Sequence, residues 1–331
     1  MSEIMDCSIM ESVATYFPLQ LYLITISILS LINIPLMIYL IFRIFQNSLY
    51  HINARILLLV HIFSLLIHSI DRVLYHGSEI YKYLIILPTV SSACDILSSP
   101  ERCFGFRIIF NCSLWFANCS TPVLIIERCM ATWKISTWQK DRFSWIWMIG
   151  IQIMFCSVFA AMVYWHFKLG TVKYYCLATN YGFPLNSVIS AAFSNSFNLV
   201  SICIFHYLLR KNERIREKLH ISGSTLTNRY QVEESLRILE TLEYPIYCMF
   251  LLPFLYNSII FVVLINSTSM SLPFFYFIFE LAICVPEYAF IFACVFIFSE
   301  NRVAQRQTKQ LKSLMAIQPQ AYFDRYQTSW S

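Results

Sequence analysis

Charge is what this sequence has least of. Only 13% of its 331 residues are Asp, Glu, Lys or Arg, while 58% are hydrophobic. A soluble domain carries about 25% charged residues. A chain so poor in charge cannot dress a water-facing surface, which excludes an ordinary soluble globule and makes the bilayer its solvent. Glycine is nearly as scarce, with six in all. That argues against helices packed through Gly-xxx-Gly contacts and against the glycine-broken helices of transporters. The sequence has no Walker loop, dinucleotide fingerprint, zinc-ligand spacing or nucleophile elbow. No enzyme, no cofactor or metal, and no nucleic-acid partner is therefore expected. Internal repeats and low-complexity tracts are absent too. The first 17 residues lack Lys and Arg altogether, so they do not read as a cleaved signal peptide.

What the sequence does have is seven long apolar runs. They cover residues 18–42, 55–75, 103–138, 143–167, 185–209, 239–265 and 273–298. About 20 apolar residues in a helix suffice to cross a ~30 Å hydrocarbon core. The expected fold is an all-α membrane protein, a seven-transmembrane helix bundle, with a tail at 1–17, the bundle at 18–298 and a second tail at 299–331. Orientation follows from the basic residues. With the N-terminus outside, 18 of the 24 Lys and Arg fall on inner segments, leaving Arg72, Lys82, Arg102, Arg107, Lys168 and Lys173 outside or near the outer edge. The acidic N-terminal tail, with Glu3, Asp6 and Glu11, agrees. The topology reads as N-out and C-in.

Twelve cysteines are present. Those inside the runs behave as small hydrophobes, and Cys129 at the inner edge is a candidate for reversible acylation. Cys103 opens the third run and Cys176 lies in the second outer loop, both on the oxidising side. A bridge between them ties that loop over the mouth of the bundle; the alternative is a free thiol at each place. Cys7 and Cys94 are a second pairing left open.

Polar residues inside the runs fall in stripes at helical spacing. His61, Ser64 and His68 share one face of the second. Arg107, Asn111, Trp115 and Asn118 share one face of the third, and Asn195 and Asn198 lie in the fifth. Glu280, Cys284 and Glu287 stand in the seventh. Polar groups in hydrocarbon turn to the bundle interior and mark functional sites by default. Arg107, Asn111, Trp115, Asn195, Asn257 and Glu280 are the ligand-pocket candidates, and Arg107 and Glu280 are placed to pair across the bundle. The competing reading is helix–helix hydrogen bonding without a ligand, worth roughly 0.6 kcal/mol per pair. The seventh run holds no lysine, so no Schiff-base chromophore is expected, and the two histidines lack further ligands for a metal.

At the inner end of the third run, Glu127 is placed to hold Arg128 as a local ion pair. Breaking that pair frees the arginine, the kind of two-state element that switching requires. The alternative is an arginine snorkelling at the interface. Pro245, Pro253 and Pro286 free backbone carbonyls and kink their helices. The 210–238 segment reads as helix extensions, its basic stretch facing acidic lipid or an acidic partner. Val303, Leu311 and Leu314 give the C-terminal tail a weak pattern for a helix lying along the inner interface.

Three segments together carry a resemblance. They are Asn53-Ala54-Arg55-Ile56-Leu57-Leu58, Glu127-Arg128-Cys129-Met130-Ala131-Thr132-Trp133-Lys134-Ile135-Ser136-Thr137, and Arg229-Tyr230-Gln231-Val232-Glu233-Glu234-Ser235. From about residue 18 to 315 the chain resembles the nematode serpentine chemoreceptors of the class alpha and alpha/beta group. The resemblance implies a G-protein-coupled receptor of chemosensory neurons. It would sit in the plasma membrane of a sensory cilium, take an odorant-like or pheromone-like small molecule, and signal to a heterotrimeric G protein. Glu127, Arg128, Arg229 and Tyr230 are the coupling candidates. The chain departs from the broad rhodopsin-like pattern: Cys129 stands where tyrosine is expected, Val285-Pro286-Glu287-Tyr288 replaces Asn-Pro-x-x-Tyr, and Cys-Trp-x-Pro is missing. A seven-helix transporter and an inverted ligand-gated channel are the alternatives. The channel requires the N-terminus inside. An epitope tag on residue 1 is therefore expected to stain on intact cells, and staining only after permeabilisation would reverse the topology.

Overall fold

The computed structural model describes residues 7–46, 50–134, 143–164, 174–176, 185–221 and 226–328, with the side chains at 187, 219–231, 307 and 310–328 left aside. Its elements are α1 (Cys7–Ala14), α2 (Phe17–Gln46), α3 (Ile52–Tyr81), α4 (Pro100–Trp133), α5 (Ser144–Tyr164), α6 (Leu185–Ile221), α7 (Leu226–Ile265), α8 (Leu272–Ala282) and α9 (Val285–Thr328). Seven segments are long and apolar enough to cross a membrane: α2 through α7, and α8 with the first part of α9. This is an all-helical seven-transmembrane bundle. Helices are the expected answer, because hydrocarbon offers no partner to a backbone N–H or C=O and a helix satisfies both internally.

The helix starts follow local chemistry. Ser99 accepts from the Arg102 N–H at 3.3 Å and Pro100 occupies the first turn, where a missing N–H costs nothing. α3 continues past Tyr81 through a π turn (Lys82–Ile86) and a 3-10 turn (Leu87–Thr89). The second span is thus longer than the 55–75 run, and the 76–102 segment is largely helical rather than an open loop. Charged and polar residues on its last turns hid the extension. α4 is the most enclosed of the spans, while α2 and α5 present most of their apolar surface outward. α4 packs against α3, α5, α6 and α7, and α9 closes the bundle against α7 and α2.

Span seven is broken. Ile283 and Cys284 separate α8 from α9, and Pro286 sits in the first turn of α9. Proline cannot donate to the carbonyl four residues back, here that of Ala282, which accepts from the Cys284 N–H at 3.0 Å instead. Side chains of other helices meet backbone carbonyls beside the break: Arg72 Nη2 donates to the Ile283 carbonyl at 3.1 Å, and Asn33 Nδ2 donates to the Pro286 carbonyl at 2.8 Å. At the far side α6 and α7 extend to Ile221 and from Leu226, so the 210–238 segment is mostly helix extension. α9 runs without a break to Thr328; the side chains of Leu311 and Leu314, on which the interfacial pattern turned, lie outside the described residues.

Two disulfides close the opposite end. Cys103, in the first turn of α4, is bridged to Cys176 with a Cα–Cα distance of 4.9 Å. Cys7, at the start of α1, is bridged to Cys94 at 5.1 Å. The first holds Tyr175 and Cys176 inside the bundle mouth, both buried; the second fastens only the short α1 cap. Replacing Cys103 and Cys176 together by alanine is expected to lower stability by about 2–5 kcal/mol, and replacing Cys7 and Cys94 by less. Thermal unfolding of the purified protein with a thiol-reactive dye checks the order.

Candidate ligand pocket and buried charge cluster

The polar stripe of α3 does not stop at His68. It continues one helical turn at a time through Arg72, Tyr75, His76 and Glu79, all buried. The α4 stripe faces it. Between them lies Glu280 of α8, fully buried. Arg72 Nη1 reaches Glu280 Oε2 at 2.6 Å and Arg107 Nη2 reaches Oε1 at 2.6 Å. Tyr175 donates to the same Oε1 at 3.0 Å. Burial, with the Glu280 charge, pushes the Tyr175 phenol well above its ordinary range, so it remains a donor.

Each arginine is held by more than its ion pair. Arg72 Nη1 is also 2.8 Å from His76 Nε2. Arg107 Nε donates to the Cys176 carbonyl and its Nη2 to the Tyr75 hydroxyl. Both guanidiniums stand over the Phe110 ring, Arg72 at 4.5 Å and Arg107 at 4.9 Å. Such cation–π contacts are worth about 2 kcal/mol when desolvated. A second cluster lies nearer the mouth: Glu79 pairs with Arg102 at 3.1 Å and Lys82 at 3.4 Å.

A cavity of about 60 Å³ adjoins the cluster, enclosed by α4 to α8. Arg107, Asn111 and Trp115 line it from α4, and Asn257 lines it from α7. Asn111 Nδ2 donates to the Tyr164 hydroxyl at 2.8 Å. Trp115 stacks on Phe159 at 4.7 Å, and among the described residues its buried indole Nε1 has no hydrogen-bond partner. The rest of the wall is chiefly apolar, from Leu114, Val163, Ile260 and Phe279 among others.

At the other end of α4, Arg128 donates through Nε and Nη2 to both carboxylate oxygens of Glu127, and both side chains are buried. Asn212 of α6 donates to Thr132 at 2.9 Å. Glu300 of α9 accepts from Arg43 at 2.6 Å and from Tyr50 at 3.2 Å, tying spans one and seven. A cleft of about 470 Å³ opens between α6, α7 and α9, lined by Arg216, Arg237, Arg306 and Lys309 with Glu233 and Glu240.

Residues 4–331 match the family described as serpentine type 7TM GPCR receptor class ab chemoreceptor. The chain belongs to that family. A curated relative, serpentine receptor class alpha/beta-14 of Caenorhabditis elegans, is 26% identical over 170 residues, which cover 49% of this chain and 42% of the relative. The aligned part thus spans less than half of that relative's length.

Within this serpentine receptor, Arg107, Asn111, Trp115 and Asn257 line one cavity. Glu280 lies behind Arg107 as its counter-ion, off the cavity wall. Asn195 also stands back: its Oδ1 accepts from Asn257 Nδ2 at 3.2 Å, linking α6 to α7. Arg229 and Tyr230 lie in α7, but their side chains fall outside the described residues, as do Lys140, Asp141, Arg142, Lys168 and Lys173. The histidines are structural neighbours here, His61 bonded to Tyr288 at 2.8 Å and His68 to Ser113 at 3.1 Å.

Arg72 is the residue that sequence reasoning misplaced. Counted with the outer-edge cations, it is fully buried and ion-paired. The signal was available, since positions 61, 68, 72, 76 and 79 continue one helical face. Removing one partner of a buried pair leaves an uncompensated charge and costs about 3–5 kcal/mol. Arg107→Gln and Glu280→Gln are each expected to lose that much. The double variant should lose well under the sum, and a double-mutant cycle on thermal stability measures the difference.

Proposed function

We propose that this chemoreceptor admits a small-molecule cue from the cell exterior and signals to a heterotrimeric G protein at its Arg128 end. The observation that carries the reading is that one helix, α4, bears a buried ion pair at each end. Arg107 pairs with Glu280 beside the cavity, and Arg128 pairs with Glu127 about six turns away. The basic-residue bias supports placing the bridged end outside and the Arg128 end in the cytosol. Plasma membrane, and the cilium of a sensory neuron, are the location this reading implies.

The mechanism is a shift between two bundle states. A cue that binds one state more tightly favours it by no more than its differential affinity. In the resting state Glu127 occupies the donors of Arg128. In the signalling state the ends of α6 and α7 separate, Arg128 leaves Glu127, and its guanidinium meets an acceptor on the G-protein α subunit. α7 is built for such movement, with Pro245 and Pro253 inside it. No covalent step is involved.

Loss of one hydrogen bond to a charged group is worth about 1.5–3 kcal/mol. Arg128→Ala is expected to weaken ligand-evoked G-protein activation by about tenfold to a hundredfold at equal surface expression. Glu127→Gln should raise basal activity by freeing the arginine. Both are read in a cell line reporting G-protein activation. A full response from Arg128→Ala would remove Arg128 from the coupling role.

A further inference from the structure

We infer that the cavity takes the anionic group of a small organic acid, a carboxylate held by Arg107. The inference rests on the receptor reading above and names the chemical class of its cue. Three independent features point the same way.

The first is charge. The ion-paired groups of the cluster are two guanidiniums, Arg72 and Arg107, and one carboxylate, Glu280. Among the described residues, Asp71 on α3 and Glu287 on α9 are buried or half-buried carboxylates of the same helices, yet neither forms an ion pair with either arginine. Glu280 shares its two oxygens between two cations. A buried charge without a full partner is costly, so an added anion beside Arg107 is favoured over a neutral or cationic guest.

The second is donor supply. Arg107 makes its bonds through Nε and Nη2; among the described residues none is made by Nη1. Arg107 lines the cavity, and a guanidinium can only donate. A carboxylate, which only accepts when ionised, complements it. An ammonium does not, and an alcohol or amide meets it without charge.

The third is size and wall. At about 60 Å³, the space holds roughly five water-sized spheres, which fits a short chain. Beyond the donors the wall is chiefly hydrocarbon, from Leu114, Ile260 and Phe279. A short acid with its charged end at Arg107 and its alkyl end among these side chains matches both halves. Such a guest would compete with Glu280 for Arg107, and Glu280 is the residue that holds α8 to α4.

The test uses the purified full-length receptor in lipid nanodiscs, without G protein. Propionate, butyrate, valerate and hexanoate are titrated against butyramide and 1-butanol, with thermal unfolding and saturation-transfer NMR as readouts and empty nanodiscs as the control for partitioning. At least one acid is expected to raise the unfolding temperature and show transfer, with the amide and alcohol at the empty-disc level. Arg107→Gln combined with Glu280→Gln, a neutral pair of nearly unchanged shape, should abolish acid binding. Should that variant fail to give monodisperse protein, the contrast between acid and amide on the wild type decides alone. The inference is overturned if no acid stabilises the wild type, if butyramide does so equally, or if the double variant binds acid as the wild type does. An acid that binds without evoking a G-protein response would sink the receptor reading and leave this one standing. A neutral cue that signals through Arg128 would do the reverse.

Discussion

One carboxylate shared by two guanidiniums fixes the register of three helices. Glu280 sits at zero exposure between Arg72 and Arg107, where none of the three charges is tolerable alone. Sliding α3, α4 or α8 by one turn, about 5.4 Å, would strand at least one of them in hydrocarbon. The break in span seven belongs to the same arrangement. α8 ends at Ala282, and Arg72 meets the Ile283 carbonyl in the break while holding Glu280. The buried pair is weak evidence for net stability but strong evidence for a unique arrangement, because every alternative leaves a charge unpartnered.

The middle of the bundle is joined by softer contacts. Gln152 of α5 donates to the Phe116 carbonyl at 2.7 Å and to Ser120 at 2.9 Å, and Asn118 of α4 donates to Tyr256 of α7. These bonds lie between the cavity and the Glu127–Arg128 pair. Lying between two sites does not by itself couple them. Both ends of α4 carry a buried ion pair.

The outward face has its own logic. Large apolar side chains such as Phe17, Ile28, Phe42, Leu74 and Phe261 are exposed in the bundle. On a soluble protein such a surface would mark an interface or a hazard. Against lipid it is the natural surface for a chain with six glycines and many bulky residues. Polar bonds and aromatic contacts inside the bundle take the place of small-residue seams.

Apolar periodicity alone carried the seven spans, the all-helical class and the stripes on α3 and α4, since a membrane helix must be greasy along its length and polar only where it faces its neighbours. The pairs Glu127–Arg128 and Arg107–Glu280 were legible for the same reason: an isolated charge in a span demands a partner, and few were on offer. Tertiary structure decided what periodicity cannot express. It turned Arg72 from an outer-edge cation into the second partner of Glu280, placed Asn195 behind Asn257, and brought Tyr175 into the cluster. These depend on how far a helix continues past its apolar run and on which residue of a distant segment a disulfide draws inward. Both are settled by contacts between helices, and one strand of sequence does not contain them.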